Sequence, residues 1–197
     1  MATTTVTSTK TTLSTTQPNQ PRVLSVGKSS SHSNSKFPVP SITLVPGLGV
    51  QGDCHAGRSV QHQALRQSNP DAPNLRQVHV IPVESLRQVS AKVGGKALSP
   101  GDIGENITTE GIDLATLSRG TEVHFVGPGD ATNNAVIVLT GLRDPGPGID
   151  KVRPGLKNHF VRRLAGVMAT VKQGGSIRPG MRIDVVKPAR ADPLVVV

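Results

Sequence analysis

The sequence Gly120-Thr-Glu-Val-His-Phe-Val-Gly-Pro-Gly129 and the later run Ala135-Val-Ile-Val-Leu139 decide the fold class of this chain. Both contain short runs rich in β-branched residues, and the Pro128-Gly129 pair between them is typical of a turn. This pattern predicts short strands joined by tight connections. Further strand-like runs are found at Arg22–Val26, Ser41–Val45, Arg76–Ile81, Ile103–Thr108, Val167–Val171 and Met181–Val186.

Two helices are predicted among these strands. Pro82 suits the first position of a helix, because the N–H that proline lacks is left unpaired there in any case. Apolar residues recur at helical spacing in two segments, Val83, Leu86, Val89 and Val93 in one and Leu156, Phe160, Val161 and Leu164 in the other. About eight strands and two helices predict a mostly β, barrel-like domain with a few short helices.

Length and composition exclude several classes of protein. A chain of 197 residues is long enough to form one domain with its own core. The single cysteine, Cys54, excludes a disulfide framework and a structural zinc site made of cysteines. Three Phe with no Trp or Tyr offer few platforms for stacking bases, and no apolar run reaches the roughly 18 residues of a membrane span. We therefore expect neither nucleic acid nor a membrane as a partner.

Charge and composition divide the chain into a tail, a domain and a second tail. Of the net charge of +9, the part from Asp53 onward carries only +5, because four of the 22 basic residues and none of the 13 acidic residues precede it. Residues 1–21 are rich in Thr and Ser, which predicts a disordered tail. We expect the folded domain at 22–188, with a loop at 66–75, and a loose tail at 189–197.

The mildly basic domain is compatible with an ordinary solvated surface or with a small anionic ligand. The acid-free leader also has features of a mitochondrial presequence, but such leaders are usually arginine-rich, and this one has no arginine before Arg22. We therefore expect a cytoplasmic protein, with mitochondrial targeting as the alternative.

Gly47-Leu-Gly-Val-Gln-Gly-Asp-Cys-His-Ala-Gly57 is the densest functional motif. Its four glycines allow the backbone to approach a ligand closely and to adopt positive φ. The candidate catalytic residues are Asp53, Cys54 and His55, and Gly52 and Gly57 are candidate cofactor-binding positions. The alternative is that Asp53 and His55 only hold a turn.

Two later motifs supply further candidate binding residues. Glu105 and Asn106 precede a strand-like run, and one of the pair is expected to point inward, where a buried Glu needs a partner or has a chemical role. Arg143 lies in the glycine-rich stretch 140–150, and its guanidinium group suits phosphate, although an exposed loop with ordinary charges is the alternative. Secondary candidates are Arg76, Lys151 and Arg153.

The remaining titratable residues form no recognisable site in the sequence. The histidines His62, His79, His124 and His159 share no metal-ligand spacing, so we predict no metal site made of protein side chains. Each is expected at the surface or satisfied in the core. No Gly-x-Ser-x-Gly elbow is present. The thiol of Cys54 has Asp53 beside it and only His55 as an adjacent source of positive charge.

Taken in order, these motifs resemble the MOSC family, the domain found at the C-terminus of molybdenum cofactor sulfurases. The most specific pair is Gly-Asp-x-His-Ala-Gly at 52–57 followed by Gly-Glu-Asn-Ile at 104–107, and the resemblance extends from Val23 to Val186. The chain looks most like the stand-alone, single-domain members. The resemblance implies a β-strand-rich barrel that binds a molybdenum–pterin cofactor or carries sulfur. Pyridoxal phosphate is only a family association, because no lysine here has a context that fits a Schiff base.

The chain departs from the family at its thiol. Where the resemblance implies Arg-Asn-Pro-Cys, this sequence has Arg143-Asp-Pro-Gly146, and glycine provides neither a metal ligand nor a sulfur carrier. Cys54 is the one thiol that could replace it, from a different loop.

Three functions are therefore compatible with the sequence. The first is a molybdenum-cofactor-dependent oxidoreductase or sulfur-transfer protein, related to proteins that reduce N-hydroxylated compounds with a redox partner protein. The second is a catalytically inactive cofactor-binding or interaction module. The third is a basic domain that binds phosphoprotein or nucleic acid, which the scarcity of aromatic residues disfavours.

Overall fold

The computed structural model describes residues 20–128, 134–161 and 163–197. The predicted disordered tail at 1–21 therefore lies almost wholly outside the described residues, as does Gly129 of the predicted turn. The strands in the described part are β1 (Arg22–Lys28), β2 (Phe37–Pro38), β3 (Ile42–Val45), β4 (Gly49–Val50), β5 (Val78–Pro82), β6 (Ile107–Glu110), β7 (Glu122–Val126), β8 (Ala135–Leu142), β9 (Val167–Gln173), β10 (Gly175–Ile177) and β11 (Arg182–Val186). The helices are α1 (Gln63–Ser68) and α2 (Val83–Val93).

Seven of these strands close into a barrel in the order β11-β7-β8-β9-β5-β6-β1. Pairing of Arg22 with Arg182 joins β1 to β11 and completes the ring. Neighbours are antiparallel except β5 and β6, which run parallel and are connected through α2. A smaller sheet of β10, β3 and β4 lies beside the barrel. The predicted mostly β barrel is confirmed.

The core consists of two apolar clusters. The larger one contains barrel residues such as Val23, Val80, Phe125 and Ile137, together with Leu44 of the small sheet. The smaller cluster forms where α2 packs on the barrel. The buried residues of α2 recur at helical spacing and therefore lie on one face of the helix. The members of this cluster include Ile81, Leu86, Val89, Ile103, Leu156 and Phe160.

Three local predictions differ from the structure. The loop predicted at 66–75 begins instead with the last turn of α1, which ends at Ser68. The strand predicted at 103–108 begins only at Ile107, because Gly101 and Gly104 adopt φ of 92° and 81° and interrupt extended backbone. The helix predicted at 156–164 is a single 3₁₀ turn over Leu156–His159.

The C-terminal segment 189–197, for which the sequence predicts a loose tail, packs on the barrel. Leu194 is buried, and the Leu142 N–H donates to the Val195 carbonyl at 2.7 Å. Arg163, which has a φ of 72°, donates to the Leu194 carbonyl at 2.9 Å. Leu194, the buried residue of the apolar run Leu194-Val-Val-Val197, therefore anchors this segment, which acts as a strap. Neither helix of the described residues has the length and apolarity that crossing a membrane requires.

Candidate functional site

The segment 47–57 follows β3 and carries Asp53 into the protein interior. Gly49 has a φ of 120°, and a Cβ there would lie 2.8 Å from the Gln77 carbonyl oxygen, so glycine is required. Gly52, with a φ of 77°, turns the chain immediately before Asp53. As a result the Asp53 side chain is fully buried. The glycines of this motif shape the loop that positions a carboxylate.

Asp53 is held by polar groups from three separate parts of the chain. Its Oδ2 accepts from Lys36 Nζ at 2.8 Å, from Asn106 Nδ2 at 3.0 Å and from the Ser29 N–H at 3.2 Å. Its Oδ1 accepts from the His55 N–H at 3.0 Å and lies 3.3 Å from His55 Nδ1. Asp53 therefore joins the loop after β1, its own loop and the start of β6.

The carboxyl group of Asp53 is ionised at neutral pH. Burial alone raises its pKa, but the hydrogen bond with the His55 ring and the charge of Lys36 outweigh burial and hold the pKa well below its usual range. Burial lowers the pKa of Lys36, and Asp53 opposes this effect. The two groups form a buried ion pair that anchors the site.

Glu105 and Asn106 are both buried, whereas only one of the two was expected to point inward. Asn106 Oδ1 accepts from the His79 N–H at 3.1 Å. Glu105 Oε1 accepts from the Gly101 N–H at 2.6 Å and from Thr108 Oγ1 at 3.0 Å, while its buried Oε2 has no hydrogen-bond partner among the described residues. Burial raises the pKa of Glu105, which favours its neutral form. Both side chains can point inward because residues 105 and 106 precede β6, which begins only at Ile107, and so they do not follow the alternation of a strand.

Two arginines present unsatisfied donors. Arg143 directly follows β8, and its buried Nη1 has no hydrogen-bond partner among the described residues. Arg76 lies just before β5, and its buried Nε is likewise unpaired within the described part of the chain. Burial lowers the pKa of Arg143 to about 10, so its guanidinium group remains charged at neutral pH. Buried donors without acceptors are costly, and an anion would satisfy both.

Two histidines beside these arginines are neutral. His79 Nε2 lies 2.8 Å from the Ala165 carbonyl oxygen, and because a carbonyl only accepts, Nε2 carries the proton. Burial and the charge of Arg143 hold the pKa of His79 well below its usual value. Burial and the charge of Arg76 lower the pKa of His62 to about 4. His79 is thus a core histidine, which is one of the two placements expected from the sequence, and its ring also borders a cavity.

These groups surround a cavity of about 180 Å³. Three cationic side chains and four imidazoles line it, whereas Asp53 and Glu105 lie behind it and no carboxylate is part of its wall. Such a wall favours an anionic ligand. The lining residues are His32, Ser33, Lys36, His55, His62, Gln63, Arg76, His79, Gly104, Asn106, Arg143 and Met168.

Several of the candidate residues lie outside the cavity. Arg153 donates to the backbone carbonyls of Gly94 and Lys96 and so ties its loop to the end of α2. Lys151 is exposed in the same region. These two secondary candidates are therefore not brought to the site by the fold.

The other candidates are the glycines and Cys54. Gly57 packs against the Gln61 side chain and accepts from Asn74 Nδ2 at 3.0 Å, which is a structural role. Neither Gly52 nor Gly146 borders the cavity. Cys54 does not line the cavity, but it is part-buried with Sγ 3.2 Å from Nδ1 of His55, which does. Burial together with Asp53 raises the pKa of its thiol.

Sequence reasoning missed His32, Lys36, His62 and Met168 as lining residues. His32 and Lys36 belong to a polar Ser-rich loop that has no pattern of its own. The only signal for Lys36 in the sequence is that it is a lysine in a stretch without acidic residues. Its partner, Asp53, comes within reach only in the folded protein.

Comparison with known proteins identifies the class to which the chain belongs. The model of the MOSC domain matches residues 54–184, which is well over half of the chain. The chain therefore belongs to the MOSC domain family, as the sequence motifs predict.

Relatives and solved structures agree with this membership. The chain is 24% identical over 151 residues to the Bacillus subtilis (strain 168) protein named "Putative metal-sulfur cluster biosynthesis proteins YuaD", which covers 70% of this chain and 76% of the relative. The crystal structure of YuaD is similar with a TM-score of 0.69 at 19% identity, over 84% of this chain and 95% of that one. YiiM from Geobacillus stearothermophilus is similar with a TM-score of 0.62 at 16% identity, over 89% of this chain and 80% of that one.

Proposed function

We propose that this chain binds an anionic molybdenum–pterin cofactor through the phosphate of that cofactor, in the cavity lined by Lys36, Arg76 and Arg143. The observation that carries the proposal is the pair of unpaired buried donors, Arg143 Nη1 and Arg76 Nε, in arginines that line one cavity without a carboxylate in its wall. Guanidinium groups suit phosphate because their N–H donors match its oxygens in pairs.

The size of the cavity limits what it holds. About 180 Å³ is below the roughly 300–1,000 Å³ of typical cofactor pockets. We therefore assign to it the charged end of the ligand, with the remainder at the mouth beside His32 and His55. The bound cofactor would supply the redox-active metal. The protein would bind the phosphate through the arginines and orient it with the Asp53-centred network.

We propose no thiol chemistry at Gly146, the position where the family resemblance implies a cysteine. Gly146 has no side chain and does not border the cavity, and the Cys54 sulfur lies on another loop. A raised thiol pKa also disfavours the thiolate of Cys54. Thiol chemistry in a role such as metal-sulfur cluster biosynthesis, which the name of YuaD gives for that protein, would therefore depend on Cys54 alone. We propose a cofactor-binding module with low activity toward N-hydroxylated compounds, rather than an efficient reductase.

The experiment is a measurement of pterin and molybdenum in protein purified from cells supplied with molybdate. Wild type is compared with Arg143→Gln and Arg76→Gln, and with Arg58→Gln as a matched control on an exposed arginine in the loop after Gly57. Loss of one charged hydrogen bond is worth about 1.5–3 kcal/mol, or about tenfold or more in affinity. We expect pterin in wild type and Arg58→Gln and little in the two cavity variants. Wild type free of pterin, or all four proteins loaded alike, would refute the proposal.

A further inference from the structure

Three side chains of types that can ligate a metal lie together beside the cavity, and two of them, His32 and His55, line it. One potential ligand atom from each of His32, Cys54 and His55 lies within 4.8 Å of those of the other two. The His32 and His55 rings meet edge to face, with centroids 5.0 Å apart. Metal-ligand spacing was not recognisable in the sequence because His32 and the Cys54-His55 pair are on different loops.

We propose that His32, Cys54 and His55 form a binding site for a divalent zinc-class cation, with its fourth coordination position open toward the cavity. Two nitrogens and one sulfur suit Zn²⁺ or Co²⁺ and do not suit Mg²⁺ or Ca²⁺, which prefer oxygen. Three protein ligands with one open position are typical of zinc sites that bind a further ligand. This proposal uses none of the arginines on which the molybdenum–pterin proposal rests, although its ligands His32 and His55 also border the mouth to which we assign the remainder of the cofactor.

The site already has the outer contacts that a metal ligand needs. Histidines that bind metal almost always use their second ring nitrogen to contact a carboxylate or carbonyl. In this protein, His55 Nδ1 lies 3.3 Å from Asp53 Oδ1, and Asp53 is in turn fixed by Lys36 and Asn106. His55 would then bind the metal through Nε2, and the 3.2 Å contact of Cys54 Sγ with His55 Nδ1 would be exchanged for a bond to the metal. The outer layer is therefore assembled before any metal binds.

The two loops are also joined next to the ligands. The Cys54 N–H donates to the Ser29 carbonyl at 2.8 Å, which holds the cysteine beside the loop that carries His32. His62 adds a third imidazole, since its ring stacks on His55 with centroids 6.2 Å apart and its buried Nδ1 has no partner among the described residues. These contacts place a third imidazole beside the candidate ligands.

Geometry and charge both allow a metal. Ligands in a tetrahedral zinc site are about 3.3–3.7 Å apart, given bond lengths of about 2.0–2.3 Å. The ligand side chains must draw together to reach this spacing, and the exposed His32 side chain can supply such movement by rotation. A thiolate at Cys54 supplies one negative charge toward the divalent cation, while the carboxylate of Asp53 is paired with Lys36 and contacts the site through His55.

The test is a titration of the metal-free, full-length protein with Co²⁺, followed by absorbance and then by competition with Zn²⁺. We expect one Co²⁺ per chain, a thiolate-to-cobalt charge-transfer band, and displacement by Zn²⁺. Cys54→Ser should abolish the band, and His32→Gln should weaken Co²⁺ binding at least about tenfold. His159→Gln, a histidine outside the cluster, serves as the matched control and should bind as wild type does.

Two further measurements separate weaker metal binding from unfolding and metal binding from pterin binding. Because His32 is exposed, His32→Gln should keep the thermal midpoint of wild type, so weaker binding would not reflect unfolding. Arg143→Gln should retain the cobalt band even if it loses pterin, which separates the two proposals. Absence of a charge-transfer band in wild type, or an equal affinity in His32→Gln and wild type, would overturn the metal site.

Discussion

Lys36 Nζ and Asp53 Oδ2 lie 2.8 Å apart, with side chains that are 2% and 0% exposed. The pair connects the Ser-rich loop after β1 to the glycine-rich loop after β4, and Asn106 fixes the same carboxylate from the start of β6. The lysine therefore has two roles, because it neutralises the buried carboxylate and also borders the cavity.

The first prediction concerns the stability of this pair. Removal of one partner leaves an uncompensated buried charge, which typically costs about 3–5 kcal/mol. We expect Lys36→Met and Asp53→Asn each to lower the free energy of unfolding by an amount of that order, measured by urea denaturation. The double variant should lose less than the sum of the single losses. Simple additivity would mean that the two groups are not coupled.

The second prediction concerns pH. Asp53 has a pKa in the folded protein below its unfolded value of about 3.9, so it binds protons more readily when the chain is unfolded. Its contribution to stability is present above about pH 4 and is lost as the pH falls through the folded pKa. The urea midpoint of wild type should fall as the pH drops from about 4 to about 2, and more steeply than that of Asp53→Asn. Parallel pH profiles would contradict this assignment.

The third prediction concerns the C-terminal strap. Leu194 is 2% exposed and belongs to the main core cluster, whereas its neighbour Val195 is 57% exposed. Leu194→Ala should therefore destabilise the protein by about 2–5 kcal/mol. Val195→Ala should change stability by less than about 0.5 kcal/mol. Thermal or urea unfolding of both variants measures the difference, and equal stabilities would show that the strap does not support the barrel.

The strap also shows what the sequence could not reveal. Alternating β-branched runs predicted the barrel strands because burial of one face is a local property of each strand. The segment that carries Leu194 is held by Leu142 and Arg163, which are 52 and 31 residues away along the chain. Nothing in the run Leu194-Val-Val-Val197 itself indicates that Leu194 is the residue that becomes buried.

The candidate site likewise combines residues that the sequence motifs indicated with residues that only the fold brings to the cavity. The three glycine-rich motifs indicated Asp53, His55, Glu105, Asn106 and Arg143, and the fold places these residues in or directly behind one cavity wall. His32 and Lys36 were missed because their burial and contacts arise only when the loop after β1 meets Asp53. Arg153 was included for its type, but it binds backbone carbonyls elsewhere.

The fourth prediction concerns the missing thiol. Gly146 has a φ of −67° and nothing within 4 Å of an added Cβ, so Gly146→Cys should fold normally. If the position retains its family role, this variant should gain bound molybdenum or activity toward an N-hydroxylated substrate, measured with a supplied electron donor. Cys54→Ser should leave the low wild-type activity unchanged. Loss of a clear wild-type activity in Cys54→Ser would show instead that Cys54 has replaced the missing thiol.

The most direct test of the central claim is a calorimetric titration of the metal-free protein with tungstate, an oxyanion that probes the cavity without the pterin. We predict a single tungstate per chain, with affinity reduced at least about tenfold in Arg143→Gln and unchanged in the control Arg58→Gln. Equal affinity in both variants, or no binding to wild type, would contradict the assignment of this cavity as the anion-binding site.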